Sequence, residues 1–150
     1  MNQIKHKLEV LAFIAEKLNR ENITWAVGGS LLLYLKGKAK DFHDIDIMVI
    51  EEDVQRLKHI LLEFGRLQAS PSDAKYRTRT FLEFIVDNTD IDILAGFVIV
   101  NNGKEYDCAL KRDEICETAT VNGEKIPLQS LERWKYYYTL MGREDRLNMI

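Results

Sequence analysis

Two segments of this chain set carboxylates at alternate positions inside strand-like apolar runs, and few folds accommodate both. The first is DIDIMVI, residues 44–50, and the second is TDIDILAG, residues 89–96. In a strand, residues i and i+2 point to the same side. Asp44 and Asp46 therefore share one face, while Ile45 and Ile47 enter the core opposite. From residue 48 the run turns wholly apolar, as in a strand buried on both faces at its end. By the same period Asp90 and Asp92 share a face. Asp92 lies between Ile91 and Ile93, and Asp90 sits beside a turn signal.

Carboxylates two residues apart on a strand lie about 6 Å from each other, where like charges repel by roughly 3 kcal/mol at an effective dielectric of ~20. Three arrangements relieve this: a well-solvated strand edge, a proton on one group, or a divalent cation between them. Carboxylate oxygens are the ligands that Mg²⁺ prefers. If the two segments are neighbours, Asp92 joins Asp44 and Asp46, and three converging carboxylates favour the cation.

Upstream, ITWAV (23–27) is β-prone and is broken by Gly28-Gly29-Ser30. A strand–turn–helix junction of small residues leaves backbone N–H groups open to phosphate, glycine lets a ligand approach the backbone closely, and the Ser30 hydroxyl adds a donor. The other reading is a tight turn with Ser30 as the helix N-cap. Neither GxxxxGK[ST] nor GxGxxG is present.

The remaining pattern is mixed. Ile4, Leu8, Leu11, Ala15 and Leu18 predict a helix over about 3–20. LLLYLKG reads as a short helix closed by Gly37, and EEDVQRLKHILLEFG as a helix with an acidic start that stops at Gly65. Residues 66–77, with Ser-Pro-Ser-Asp, read as a loop after a short strand. Asp87-Asn88-Thr89, Asn101-Asn102-Gly103 and Asn122-Gly123 are turn signals, the last pairing 115–121 with 124–127. LERWKYYYTLMG and REDRLNMI read as one or two closing helices. Early helix–strand alternation followed by hairpins predicts an α+β (α/β two-layer) domain, with a mixed β-sheet and helices mainly on one face.

The chain has 150 residues, 46% apolar and 30% charged, which fits one soluble globular domain over 1–150. Its core is expected at about 20–100, with a C-terminal hairpin and helices at about 105–150. A net charge of −3 gives no reason to expect strong nucleic-acid binding. Cys108 and Cys116 lack CxxC spacing and read as free thiols. No apolar run approaches a membrane span, and the first 17 residues do not form a signal peptide, so a cytoplasmic location is expected.

VGGS (27–30), DIDIMV (44–49) and DIDIL (90–94) stand in an order and spacing that resembles the polymerase-beta-like nucleotidyltransferase superfamily. KIPLQSLERWKYYYTLMGRED is similar, more weakly, to the closing helix of its small bacterial and archaeal members, among them antibiotic adenylyltransferases and AbiEii-type toxins. The resemblance implies the nucleotidyltransferase fold and a Mg²⁺-dependent (or Mn²⁺-dependent), ATP-binding or other nucleotide-binding transferase. It would move NMP from a nucleoside triphosphate to a hydroxyl by in-line displacement, with two metal ions. Carried over, Gly29 and Ser30, with Gly28 before them, would hold the β and γ phosphates. Asp44 and Asp46 would bind metal. Asp92 would complete the metal site and help deprotonate the acceptor. The acceptor would be a small hydroxylated molecule, an RNA end or a protein, and a homodimer could supply the cover that a second domain gives larger relatives. Tyr138 stands where many relatives have lysine, with Lys135 nearly one turn earlier, and Lys40 and His43 stand where an arginine is common. Lys40 and Lys135 are thus the candidate phosphate-binding cations. The departures leave a second reading open, a catalytically degenerate, antitoxin-like subunit that binds a partner protein.

Other residues carry weaker signals. Lys75, Arg77 and Arg79 alternate and could share a face toward phosphates or guard an edge strand. Trp134 and Tyr136–Tyr138 cannot all face the core, so they divide between packing and a pocket or dimer contact. His6 and His59 have no assigned role. Arg133, Lys135, Arg143 and Arg146 make the last segment basic, a nucleotide or RNA contact or a solvated helix face.

Overall fold

The structure is a computed structural model that describes residues 3–68, 78–115 and 117–150. The first helix, α1 (Gln3–Arg20), buries Val10, Leu11, Ile14, Ala15 and Leu18 along one stripe, as its periodicity predicts. Strand β1 (Trp25–Gly28) follows and runs directly into α2 (Gly29–Leu35). Helix α2 stops at Lys36, beside Gly37 with its positive φ of 76°.

Strand β2 (Ile45–Val49) is buried except at Asp46. A 3-10 turn over Glu51–Asp53 leads into α3 (Val54–Leu62), then β3 (Arg66–Leu67), β4 (Thr80–Val86) and β5 (Thr89–Ala95). Asp87 and Asn88 have φ of 48° and 62°, the left-handed pair a two-residue hairpin requires. A separate hairpin, β6 (Val98–Asn101) and β7 (Lys104–Asp107), turns at Asn102-Gly103, and β8 (Glu117–Val121) and β9 (Glu124–Leu128) turn at Asn122-Gly123. Helices α4 (Leu131–Met141) and α5 (Glu144–Leu147) close the chain. Ser130 caps α4 by accepting from Arg133 N at 3.1 Å, and Gly142, left-handed at φ 71°, ends it. Of the loop expected over 66–77, residues 69–77, with Lys75 and Arg77, lie outside the described residues, as does Cys116.

Among the described residues, seven strands form one mixed sheet in the order β3-β4-β5-β2-β1-β9-β8. The pairs β2–β5 and β1–β9 are parallel and the others antiparallel. This is the mixed α+β architecture the sequence predicts. The central strands give one face to Trp25, Val27, Ile45, Ile47, Val49, Ile91 and Ile93, all at most 1% exposed. Helix α1 covers that face: the Trp25 indole donates to Asn19 Oδ1 at 3.0 Å. Helix α3 packs beside α1 and is tied to β1 through Asp53, which accepts from Thr24 N at 2.8 Å and pairs with Arg56 at 2.8 Å. The opposite face carries Asp46, Asp92 and Glu83, with α4 over the Gly28 end.

Candidate active site

Register builds the site. Strands β2 and β5 are parallel with Asp46 level with Asp92, flanked by Ile45 with Ile91 and Ile47 with Ile93. Each aspartate thus points away from a core row that fixes its strand. Asp44 lies two residues before Asp46 on the same face. The three carboxylates each offer an oxygen, and these oxygens lie within 4.8 Å of one another. The proximity of the two strands, which no local pattern could establish, is therefore real.

Asp46 pairs across β1 with Gly28. The next residue, Gly29, has φ of 62°, and a Cβ built there would stand 2.1 Å from Asp46 Oδ2. Glycine at 29 is required twice, for its left-handed backbone and for the room it gives the carboxylate. Helix α2 has Gly28 at its N-cap position with no side-chain capping bond, so Ser30 is not the cap. Ser30 lies inside the first turn and faces the same cavity as the aspartates.

That cavity, of about 320 Å³, is lined by Gly29, Ser30, Asp44, Asp46 and Asp92 on its polar side. Met48, Leu94 and Phe81 continue the same sheet face, and Phe97, Trp134, Tyr138 and Met141 close over it. Arg143, Arg146 and His43 also line it. The aromatic wall is packed tightly: Trp134 lies 5.2 Å from the Tyr138 ring and 6.2 Å from Phe97.

Negative charge dominates the sheet face. Burial, then the charges of Asp92 and Asp44, push the Asp46 carboxyl well above the ordinary carboxylate range, against the pull of Arg146. Burial, then Asp44, Glu83 and Asp90, push Asp92 to about 7. Burial and Asp90 raise Asp44. Two carboxyls this close, both raised, share a proton when no cation is bound. Three oxygen donors whose charge is unmet suit a hard divalent cation.

Not every expected residue reaches the cavity. Lys40 and Lys135 are exposed and do not line it, and Gly28 lies behind the wall, beneath Trp134. Tyr137 packs in the core with Trp134 and Phe97, while Tyr136 is half exposed. Arg79 is exposed and pairs with Glu51 at 3.6 Å. The cations that do face the cavity, Arg143 and Arg146, come from the segment after Gly142. The sequence marks that segment as basic, with a nucleotide contact as one of two readings.

The sequence profile of the aminoglycoside-2″-adenylyltransferase family matches residues 10–149. No curated protein matches the chain. Among solved structures, a provisionally assigned nucleotidyltransferase from Thermotoga maritima is 29% identical over 96% of this chain and 89% of its own, with a TM-score of 0.78. ANT(2″)-Ia in complex with adenylyl-2″-tobramycin is 13% identical over 96% of this chain and 87% of its own, with a TM-score of 0.65. The lincosamide adenylyltransferase LnuA, lincomycin-bound, is 17% identical over 93% and 92%, with a TM-score of 0.62. The last two likenesses establish the fold, which is that of nucleotidyltransferases. On the profile match across nearly its whole length, the chain belongs to the aminoglycoside-2″-adenylyltransferase family and is a nucleotidyltransferase.

Proposed function

We propose that this enzyme transfers AMP from ATP to a hydroxyl of a small, cationic acceptor. The observation that carries the reading is the convergence of Asp44, Asp46 and Asp92 beside Gly29 and Ser30 in one cavity. The donor set fits Mg²⁺ (or Mn²⁺), since every ligand atom is a carboxylate oxygen and three carboxyls converge on one point. Two such ions, held by Asp44, Asp46 and Asp92, would neutralise charge on the attacking and leaving oxygens during in-line displacement at the α-phosphorus.

The chain's own groups do the rest. The backbone at Gly29 and the Ser30 hydroxyl donate to the β and γ phosphates. Arg143 and Arg146, across the cavity, balance the triphosphate from the other side. Asp92 accepts the proton of the acceptor hydroxyl on its carboxylate. The apolar wall of Phe81, Phe97, Trp134 and Tyr138 excludes water that would compete with the acceptor.

The family's description and the antibiotics bound to ANT(2″)-Ia and LnuA support a small-molecule acceptor. So does a cavity of about 320 Å³. Glu83, paired with Asp92 across β4, and Asp90 extend the acidic face and favour a cationic acceptor. The family, made of enzymes, argues against the degenerate partner-binding reading.

The test is thermal unfolding of the wild type and Asp46→Asn with each of four nucleoside triphosphates, with and without Mg²⁺. Ligand at ~100 Kd stabilises by about 2.7 kcal/mol, or roughly 5–10 °C in a domain of this size. A Mg²⁺-dependent rise with ATP that Asp46→Asn abolishes supports the site. Pyrophosphate release with tobramycin or lincomycin then identifies the acceptor. A rise that survives Asp46→Asn unchanged would remove the metal assignment.

A further inference from the structure

Gly28 and Gly29 are adjacent glycines with different reasons for being glycine. Gly29 needs its positive φ and leaves room for Asp46. Gly28 is extended, with φ −136° and ψ −160°, a backbone that any residue adopts. What forbids a side chain there is space. A Cβ would stand 2.5 Å from Trp134 Cζ2, 2.6 Å from Trp134 Cε2 and 2.6 Å from Gln129 Oε1. The indole is therefore seated on the backbone immediately before the turn that carries Gly29 and Ser30.

The indole is itself held. Trp134 Nε1 donates to Gln129 Oε1 at 2.7 Å, and both residues are buried. Gln129 is anchored where β9 leaves β1, its backbone N donating to Val27 O at 3.1 Å. The bond also fixes which way the amide points, because only the oxygen can accept from the indole. Among the described residues, Gln129 Nε2 is left buried with no hydrogen-bond partner. An unpaired buried donor is a cost that leucine or methionine of similar volume would avoid. What the glutamine supplies against that cost is one acceptor for the indole.

We infer that Gln129 and Trp134 are positioning residues for the phosphate-binding turn. Their hydrogen bond fixes the indole, and the indole, filling the space where Gly28 has no side chain, sets where the Gly29–Ser30 backbone stands relative to Asp46. The inference rests on the nucleotide reading above, and it gives the Gly-Gly-Ser motif a division of labour: its first glycine receives the wall, its second receives the carboxylate.

Three variants test it, with the tightest-binding of the four Mg–nucleoside triphosphates as the probe: Gly28→Ala, Trp134→Phe and the two combined. Gly28→Ala drives a methyl into the indole and raises the Kd at least tenfold. Trp134→Phe removes Cζ2, Cε2 and the N–H, frees the amide to turn, and raises the Kd about three- to tenfold. In the double variant the methyl has room, so the losses do not add and the Kd falls below that of Gly28→Ala alone. The unfolding midpoint without nucleotide is read in parallel. A merely structural role lowers that midpoint and leaves the Kd, measured well below it, unchanged. That result, or additive losses in the double variant, overturns the inference. Should Gly28→Ala not fold, Gln129→Leu decides, since it removes the acceptor without adding a heavy atom: a raised Kd supports positioning and an unchanged Kd overturns it. A wild type that binds none of the four triphosphates removes the nucleotide reading, and this inference with it.

Discussion

A methyl group on residue 29 would stand 2.1 Å from Asp46 Oδ2, on a backbone with φ of 62°. Gly29→Ala therefore has two penalties: about 1 kcal/mol or more for an L-residue held in the left-handed region, and displacement of a carboxylate at the centre of the site. The expected outcome is a folded protein with a midpoint a few degrees lower and no Mg²⁺-dependent response to nucleotide, read by thermal unfolding. A Gly29→Ala variant that binds nucleotide like the wild type would mean that Asp46 can turn aside without loss. The requirement was legible in the sequence as a small-residue break after a strand. Its cause was not, because the carboxylate that needs the space lies 17 positions later and reaches it only through the β1–β2 register.

The pairing of β2 with β5 makes the element scale electrostatic. Asp46 and Asp92 hold protons more tightly in the folded chain than in the unfolded one, Asp92 with a folded value of about 7 and Asp46 raised as well. Between the ordinary carboxylate value and that folded value the native state binds more protons than the unfolded state. Stability without metal is therefore greatest at acid pH and falls as pH rises through about 7. On the proposed reading Mg²⁺ would reverse the trend, because it would replace the shared proton. The expected outcome is a midpoint that drops between pH 5.5 and 8 in chelator, and a gain on adding Mg²⁺ that is larger at pH 8. Asp46→Asn relieves the repulsion between Asp46 and Asp92, so it stabilises the chelated protein at pH 8, by on the order of 1 kcal/mol, and blunts the gain from Mg²⁺. Calorimetry at the two pH values checks both. The carboxylates were readable from sequence because a period of two assigns faces without any knowledge of neighbours. The adjacency of the two strands came from resemblance, and the structure supplies it physically in the matched rows Ile45–Ile91, Asp46–Asp92 and Ile47–Ile93.

At the scale of the whole molecule the cavity is assembled from five stretches: the Gly29–Ser30 turn, β2 with the residues just before it, the start of β4 at Phe81, β5 with Phe97, and the closing segment from Trp134 to Arg146. The final stretch was the least legible. Trp134 and Tyr138 become wall residues only because α4 crosses the carboxylate face, and Arg143 and Arg146 reach the cavity only because Gly142 ends α4 and turns the chain. Neither event leaves a periodic signal in the arginines themselves, whereas Lys40 and Lys135, chosen by analogy of position, face solvent. Arg143 is half-exposed and clasps Asp145 through two bonds of 3.0 and 2.9 Å. Surface pairs of this kind contribute up to about 1 kcal/mol. Replacing both Arg143 and Arg146 with alanine should therefore lower stability by no more than about 1 kcal/mol, while the Kd for MgATP rises roughly tenfold or more, the loss of one ionic hydrogen bond. Titration calorimetry beside thermal unfolding separates the two effects. The matched rows of β2 and β5 also have a hereditary consequence. Lengthening a connection between these strands leaves their pairing alone, but inserting or deleting one residue within 45–49 or 91–94 turns the isoleucines outward and the aspartates inward together. Core and chemistry are thus lost in the same event, so such length changes should be missing from functional variants of this chain, while the turns between strands are free to drift.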